Sequence, residues 1–251
     1  MASVRNFAVT VALLGLLATQ AIPVAAHEVG IHLAQGPADD AGCHSLEVWN
    51  NHYLIETIPA DDGWAENPGC AYNEKSALLP NGNFIFDWKI SSATFWNTGV
   101  WGTDGTPANT QELTNFGTDF CDGSWQVIGG TAFVSGMCET HIVARWIEAT
   151  RGTPASTFIL PGDAPTGDPF YVVVGERIVY AAGHPRKGRE IWVSNGTPEG
   201  SFLLKDIRRG RRSSNPSDFV STGARVYFTA NDGTGRADWV TNGKKRGTHR
   251  L

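Results

Sequence analysis

Residues 175–207 read GERIVYAAGHPRKGREIWVSNGTPEGSFLLKDI, and residues 223–251 read GARVYFTANDGTGRADWVTNGKKRGTHRL. Each opens on Gly, runs as an apolar strand to Tyr180 or Phe228, crosses a Gly-containing turn and reaches a Trp strand closed by Asn-Gly. The same order starts at Gly129 (GGTAFVSGMCETHIVARWIEATRGTPASTFIL) and at Gly82 (GNFIFDWKISSATFWNTGVWGTDGTPANTQEL). The turn glycines are Gly105, Gly152, Gly196 and Gly243, at steps of 47, 44 and 47. Trp101, Trp192 and Trp239 each stand four residues before their glycine, whereas Trp146 stands six before Gly152, which reads as a two-residue change in that copy.

Residues 177–180 and 225–228 are β-branched and aromatic strand material. Asn195-Gly196, Asn242-Gly243 and Asp104-Gly105 supply the positive φ angles of a tight hairpin turn. Residues 202–204 read as a third strand of the unit, and 218–220 as a fourth. About four strands in ~47 residues is the content of one propeller blade. One Trp per unit would pack between neighbouring blades, where a large ring covers most area. The predicted fold is all-β and β-propeller-like, with about five four-stranded blades. Glycine (29) and proline (13) together exceed ordinary usage and agree with a turn-rich chain rather than a helix bundle.

Upstream of the repeats, residues 1–26 read as a signal peptide: Arg5, an apolar run over 7–18 too short to span a membrane, and Val24-Ala25-Ala26 before a cleavage site at His27. Residues 27–251 then form one repeat domain, with repeats starting near 82, 129, 175 and 223 and an irregular first blade over 29–81. Residues 44–49 and 52–57 read as strands of that blade, 61–63 as a turn, and 29–35 as a strand available to complete the last blade. The location is secreted or extracellular, with periplasm or cell surface as variants. Cys43, Cys70, Cys121 and Cys138 allow three disulfide connectivities, of which the local pairs Cys43–Cys70 and Cys121–Cys138 are favoured. No C-x-x-C spacing suggests zinc.

The stretch Glu190-Ile191-Trp192-Val193-Ser194-Asn195-Gly196-Thr197, followed by Leu204-Lys205-Asp206-Ile207 and Arg211-Arg212-Ser213-Ser214-Asn215-Pro216, resembles the ELWxxDGT repeat proteins, secreted or surface bacterial proteins built from propeller-like repeats. The resemblance covers about residues 82–251 and is closest over 175–222. Asn195 and Asn242 stand where the family usually has Asp. It implies architecture and an extracellular location, and no particular reaction.

Charge is unevenly spread. Residues 1–150 carry four Lys/Arg and sixteen Asp/Glu, while residues 151–251 carry sixteen and nine. Arg208, Arg209, Arg211 and Arg212 are the densest cluster, a candidate site for a polyanion such as an acidic polysaccharide. Aromatic interleaving is absent there, so nucleic acid is not an expected partner. His27 and His32 are five apart, not the i, i+4 of a helical zinc site. A free His27 amine would offer a copper chelate like a histidine brace, but nothing else resembles those enzymes. Residues 232–238 lack the alternating ladder of a calcium loop. No nucleophile elbow, P-loop or cofactor motif is present.

The chain is therefore read as a non-catalytic binding or adhesion module for a glycan or a cell-surface protein, without a membrane span. One alternative is a carbohydrate-active hydrolase with carboxylates in a central channel, drawn from Asp87, Asp104, Asp119, Asp122, Glu139 and Glu148; Asp87 and Glu139 follow equivalent strands. Another is a self-associating segment of a larger surface repeat protein.

Overall fold

The computed structural model describes residues 30–38, 44–50, 53–58, 71–72, 75–91, 96–115, 121–138, 144–166 and 171–251. The signal-peptide reading, His27, Cys43, Cys70, Glu139 and the turn at 61–63 lie outside them. The described residues form antiparallel sheets and short 3-10 turns, and no helix among them is long and apolar enough to cross a membrane. The chain divides into two compact units, Met1–Thr118 and Asp119–Leu251.

The first unit holds two sheets. The first is β1 (Ile31–Ala38), β2 (His44–Asn50) and β3 (Tyr53–Ile58). The second is β4 (Ala71–Tyr72) and β5 (Ser76–Leu78), both on β6 (Phe84–Ser91), then β7 (Trp96–Thr103) and β8 (Gln111–Asn115). Leu33, Leu46, Val48 and Ile58 of the first sheet pack on Phe84, Phe86 and Trp88 of the second.

The second unit holds three sheets. The third sheet is β9 (Cys121–Ile128), β10 (Thr131–Cys138), β11 (Ala144–Thr150) and β12 (Phe158–Ile159). The fourth is β13 (Asp163–Thr166) and β14 (Val172–Val174), both on β15 (Arg177–His184), then β16 (Gly188–Ser194) and β17 (Phe202–Lys205). The fifth is β18 (Ser217–Ser221), β19 (Val226–Asn231), β20 (Arg236–Thr241) and β21 (His249–Arg250). The alternation of a strand sends Ile178, Tyr180 and Ala182 toward the third sheet's Phe133 and Ile147. It sends Val179 the other way, with Ile191 and Val193, onto Val226, Phe228 and Trp239 of the fifth sheet. Trp192 and Trp239 therefore lie between sheets, as their spacing predicts.

Four sequence expectations are corrected. Residues 218–220 belong to β18, the first strand of the fifth sheet, not the last strand of the fourth. Residues 31–35 pair with β2 inside the first sheet (Ile31↔Asn50 to Gln35↔Leu46). The copy around Trp146 contains no two-residue change: β10 and β11 run in unbroken register from Ala132↔Thr150 to Cys138↔Ala144. Glu148, opposite Val134, occupies the level at which Phe86↔Trp101, Tyr180↔Trp192 and Phe228↔Trp239 stack in the other copies. Finally, the repeat's Gly does not sit in a two-residue hairpin.

It sits in a longer turn closed by hydroxyls. Thr103 and Thr110 Oγ1 meet at 2.6 Å, and Thr150–Thr157, Ser194–Ser201 and Thr241–Thr248 each meet at 2.7 Å, always seven residues apart. The second hydroxyl donates to a turn carbonyl (Thr106, Thr153, Thr197 or Lys244). The first then donates to the second and accepts the N–H of Gly105, Gly152, Gly196 or Gly243. Each of these glycines has φ between +75° and +89°, which leaves the residue before it (Asp104, Arg151, Asn195 or Asn242) free of that strain.

Candidate functional site

The four arginines lie in the connection from β17 to β18, and their placement starts from one carboxylate. Glu190, on β16, is 0% exposed. Its Oε2 accepts Ile207 N–H at 2.8 Å and Ser214 Oγ–H at 2.7 Å; its Oε1 accepts Ser214 N–H at 3.0 Å and Arg208 N–H at 3.4 Å. One buried side chain thus holds both ends of the segment between Arg208 and Ser213. Burial pushes the Glu190 carboxyl above the usual carboxylate range, against the four donors, which pull it down.

Backbone contacts complete the anchor. Ser214 and Asn215 N–H donate to Arg189 C=O, Arg189 N–H donates to Ser213 Oγ, and Asn231 N–H donates to Ser214 C=O, which ties the segment to the fifth sheet. Gly188, at φ +68°, lets the loop lie flat: a Cβ there would stand 2.7 Å from Arg212 C and Ser213 N. Asn215 adopts φ +46°, a left-handed conformation that Asn tolerates better than most residues.

Above this anchor, Arg208, Arg209, Arg211 and Arg212 line an open cleft of about 620 Å³ with Ile207, Asp232 and Gly233. Arg209, Arg211 and Arg212 are exposed. Among the described residues, none of the four guanidiniums is held in an ion pair. Asp232 is the cleft's one carboxylate, and it is already engaged: Oδ1 accepts Thr234 N–H and Oγ–H, and Oδ2 takes Arg250 at 2.8 Å. Those Thr234 bonds, with Arg250, hold its carboxyl below the usual range. The cleft is cationic, built on a fixed base, and presents planar donors suited to sulfate, phosphate or carboxylate.

The acidic candidates are arranged differently. Asp87 is 1% exposed, and its Oδ1 accepts Lys75 N–H at 2.9 Å while its own N–H donates to Lys75 C=O. It ties Lys75, the residue before β5, to β6. Asp104 closes its turn on Thr106 and Asn109. Cys121 and Cys138 are backbone register partners where β9 begins and β10 ends. The residue that sequence reasoning missed is Glu190. Its signal was its uniqueness: the equivalent positions are Gly99, Trp146 and Ala237.

No family model and no curated protein matches the chain. Among solved structures, a puromycin hydrolase mutant complexed with PGG is 15% identical at a TM-score of 0.34, covering 88% of this chain; the chain spans 37% of that one. An endo-1,4-beta-xylanase from Bacteroides thetaiotaomicron VPI-5482 is 12% identical at 0.25, covering 84% and 85%. A eukaryotic initiation factor is 10% identical at 0.28, covering 87% and 73%.

Proposed function

We propose that this protein is a secreted, non-catalytic binding module of propeller-like form, related to the ELWxxDGT repeat proteins, that holds acidic polysaccharide in the Arg208–Arg212 cleft. The observation that carries the reading is the Glu190 anchor. A buried carboxylate tied by four hydrogen bonds fixes the base of a loop whose tip carries four arginines free of ion pairs among the described residues. Fixed cations lose less freedom on binding than cations on a floppy loop. The antiparallel meanders and the recurring glycine turns support the blade reading. Disulfides at Cys121–Cys138 and Cys43–Cys70 belong to the same proposal.

The test is a panel of insoluble and soluble polysaccharides, with protein depletion and released reducing sugar measured on the same tubes. Depletion by acidic members, reversed by salt and without released sugar, is expected. Replacing Arg208, Arg209, Arg211 and Arg212 by Ser should abolish it; undiminished depletion by that variant, or sugar release, overturns the reading.

A further inference from the structure

The opposite end of the fourth and fifth sheets carries a second cationic surface. Strand β20 begins at Arg236, three residues after the cleft-lining Gly233, and leads, six residues later, into the turn holding Lys244, Lys245 and Arg246. At the ordinary rise of a strand this separates the two ends by about 20 Å. Arg225 precedes β19 on the same end, since Val226 is in register with Thr241. Arg177, at the start of β15, donates Nη1–H to Gly243 C=O and so leans on the same turn from the fourth sheet. Lys244, Lys245, Arg246 and Arg225 are exposed. None of these five cations is held in an ion pair among the described residues. Lys245 Nζ does lie 5.0 Å from the Phe202 ring centroid. The carboxylates at this end, Glu176 and Glu199, lie on turns of the fourth sheet, and Glu176 packs toward Gly129 of the third.

The closure of this turn does not need Lys244, Lys245 or Arg246. The same turn in the other copies reads Thr106-Pro107-Ala108, Thr153-Pro154-Ala155 and Thr197-Pro198-Glu199, with Pro preset for the first position of the turn. Thr106 and Thr197 also donate their hydroxyls to Asp104 and Asn195. The last copy replaces Thr-Pro by Lys244-Lys245, and Asn242 keeps only the bond from Lys244 N–H. Three consecutive cations stand where the rest of the chain uses a turn-forming pair.

We infer that the Lys244–Arg246 turn, with Arg177 and Arg225, is a second polyanion site, and that the protein cross-links acidic polysaccharide chains by holding one at each end of the same sheets. The inference rests on the cleft being a polyanion site. Two sites on opposed ends of a rigid stack engage separate chains, or distant parts of one, and so gather polymer by multivalency.

The test uses the full chain and two probes. Titration calorimetry with a heparin-type hexasaccharide should give two sites per protein, and long-chain dextran sulfate should give turbidity that peaks at intermediate ratio and clears in excess. The Lys244→Ser/Lys245→Ser/Arg246→Ser variant should bind one hexasaccharide and lose the turbidity at least tenfold; the four-arginine cleft variant should also bind one. One site in the parent protein, or undiminished turbidity in the turn variant, overturns the inference while leaving the cleft intact. A cleft variant that still binds two overturns the reading on which it rests. Circular dichroism of each variant shows that the sheets persist.

Discussion

Glu190 and Ser214 are 24 residues apart in sequence and joined twice in space: Ser214 Oγ donates to Oε2 at 2.7 Å and Ser214 N–H to Oε1 at 3.0 Å. Between them hangs the whole arginine tip. Glu190→Gln keeps the volume but turns an amide toward donors. We expect a loss of roughly 1–3 kcal/mol in urea unfolding, the usual cost of leaving buried polar groups unpaired, together with weaker polyanion binding.

The same carboxyl sets a pH signature. Burial raises its folded pKa above the usual carboxylate range, so it favours the folded state most at pH values below that range. This contribution is lost as pH rises through the folded pKa. The stability gap between parent and Glu190→Gln should therefore be widest in acid and narrow toward neutrality. A gap that widens with pH would show that the four donors outweigh burial.

Binding in the cleft should respond to pH quite differently. Arginines do not titrate in the accessible range, and Asp232 is held below the usual range by Thr234 and Arg250. Affinity for a sulfated oligosaccharide is expected to stay flat from about pH 8 to about pH 5, while falling steeply with salt. A step near pH 6 would indicate a titrating group in the cleft other than these.

Gly188→Ala places a methyl 2.7 Å from Arg212 C and Ser213 N at a φ of +68°. The loop must lift from β16. A loss of at least about 1 kcal/mol in stability is expected, with binding weakened although no arginine has changed. Full binding would mean that the tip works without its seat.

Cys121 and Cys138 are register partners. If they form the disulfide proposed above, alkylation of the unreduced protein followed by peptide mass analysis should leave both unlabelled. Reduction should lower stability by roughly 3 kcal/mol, as for a short closed loop.

The period of the fold was legible because the strained glycines recur as single residues that nothing else replaces. Gly105, Gly152, Gly196 and Gly243 mark equivalent points in four sheets. Their setting was read too simply. The hydroxyl two residues before each glycine and the one five residues after it are both visible in the sequence, but Asn-Gly suggested a tight hairpin and masked the pair. Sheet membership of residues 217–221 was not legible, because strand propensity says nothing about which neighbour a strand joins. At the site, the arginines announced themselves as a run. Their anchor did not, because Glu190 reaches them only after the chain has gone out along β16 and back along β17.

The seven-residue hydroxyl pairs carry a consequence for how such a chain is assembled and altered. Every bond in that clasp is made within its own turn, so the turn that leads to the last strand of the second, third, fourth and fifth sheets closes on itself. A unit inserted or deleted would bring or remove its own clasp and leave the others wired as before. The array is in this sense a set of interchangeable parts. Novelty is free to accumulate in the long connections between units, where the arginine loop lies, and in turns such as Lys244–Arg246, whose closure needs the hydroxyls and the glycine but not the residues between them.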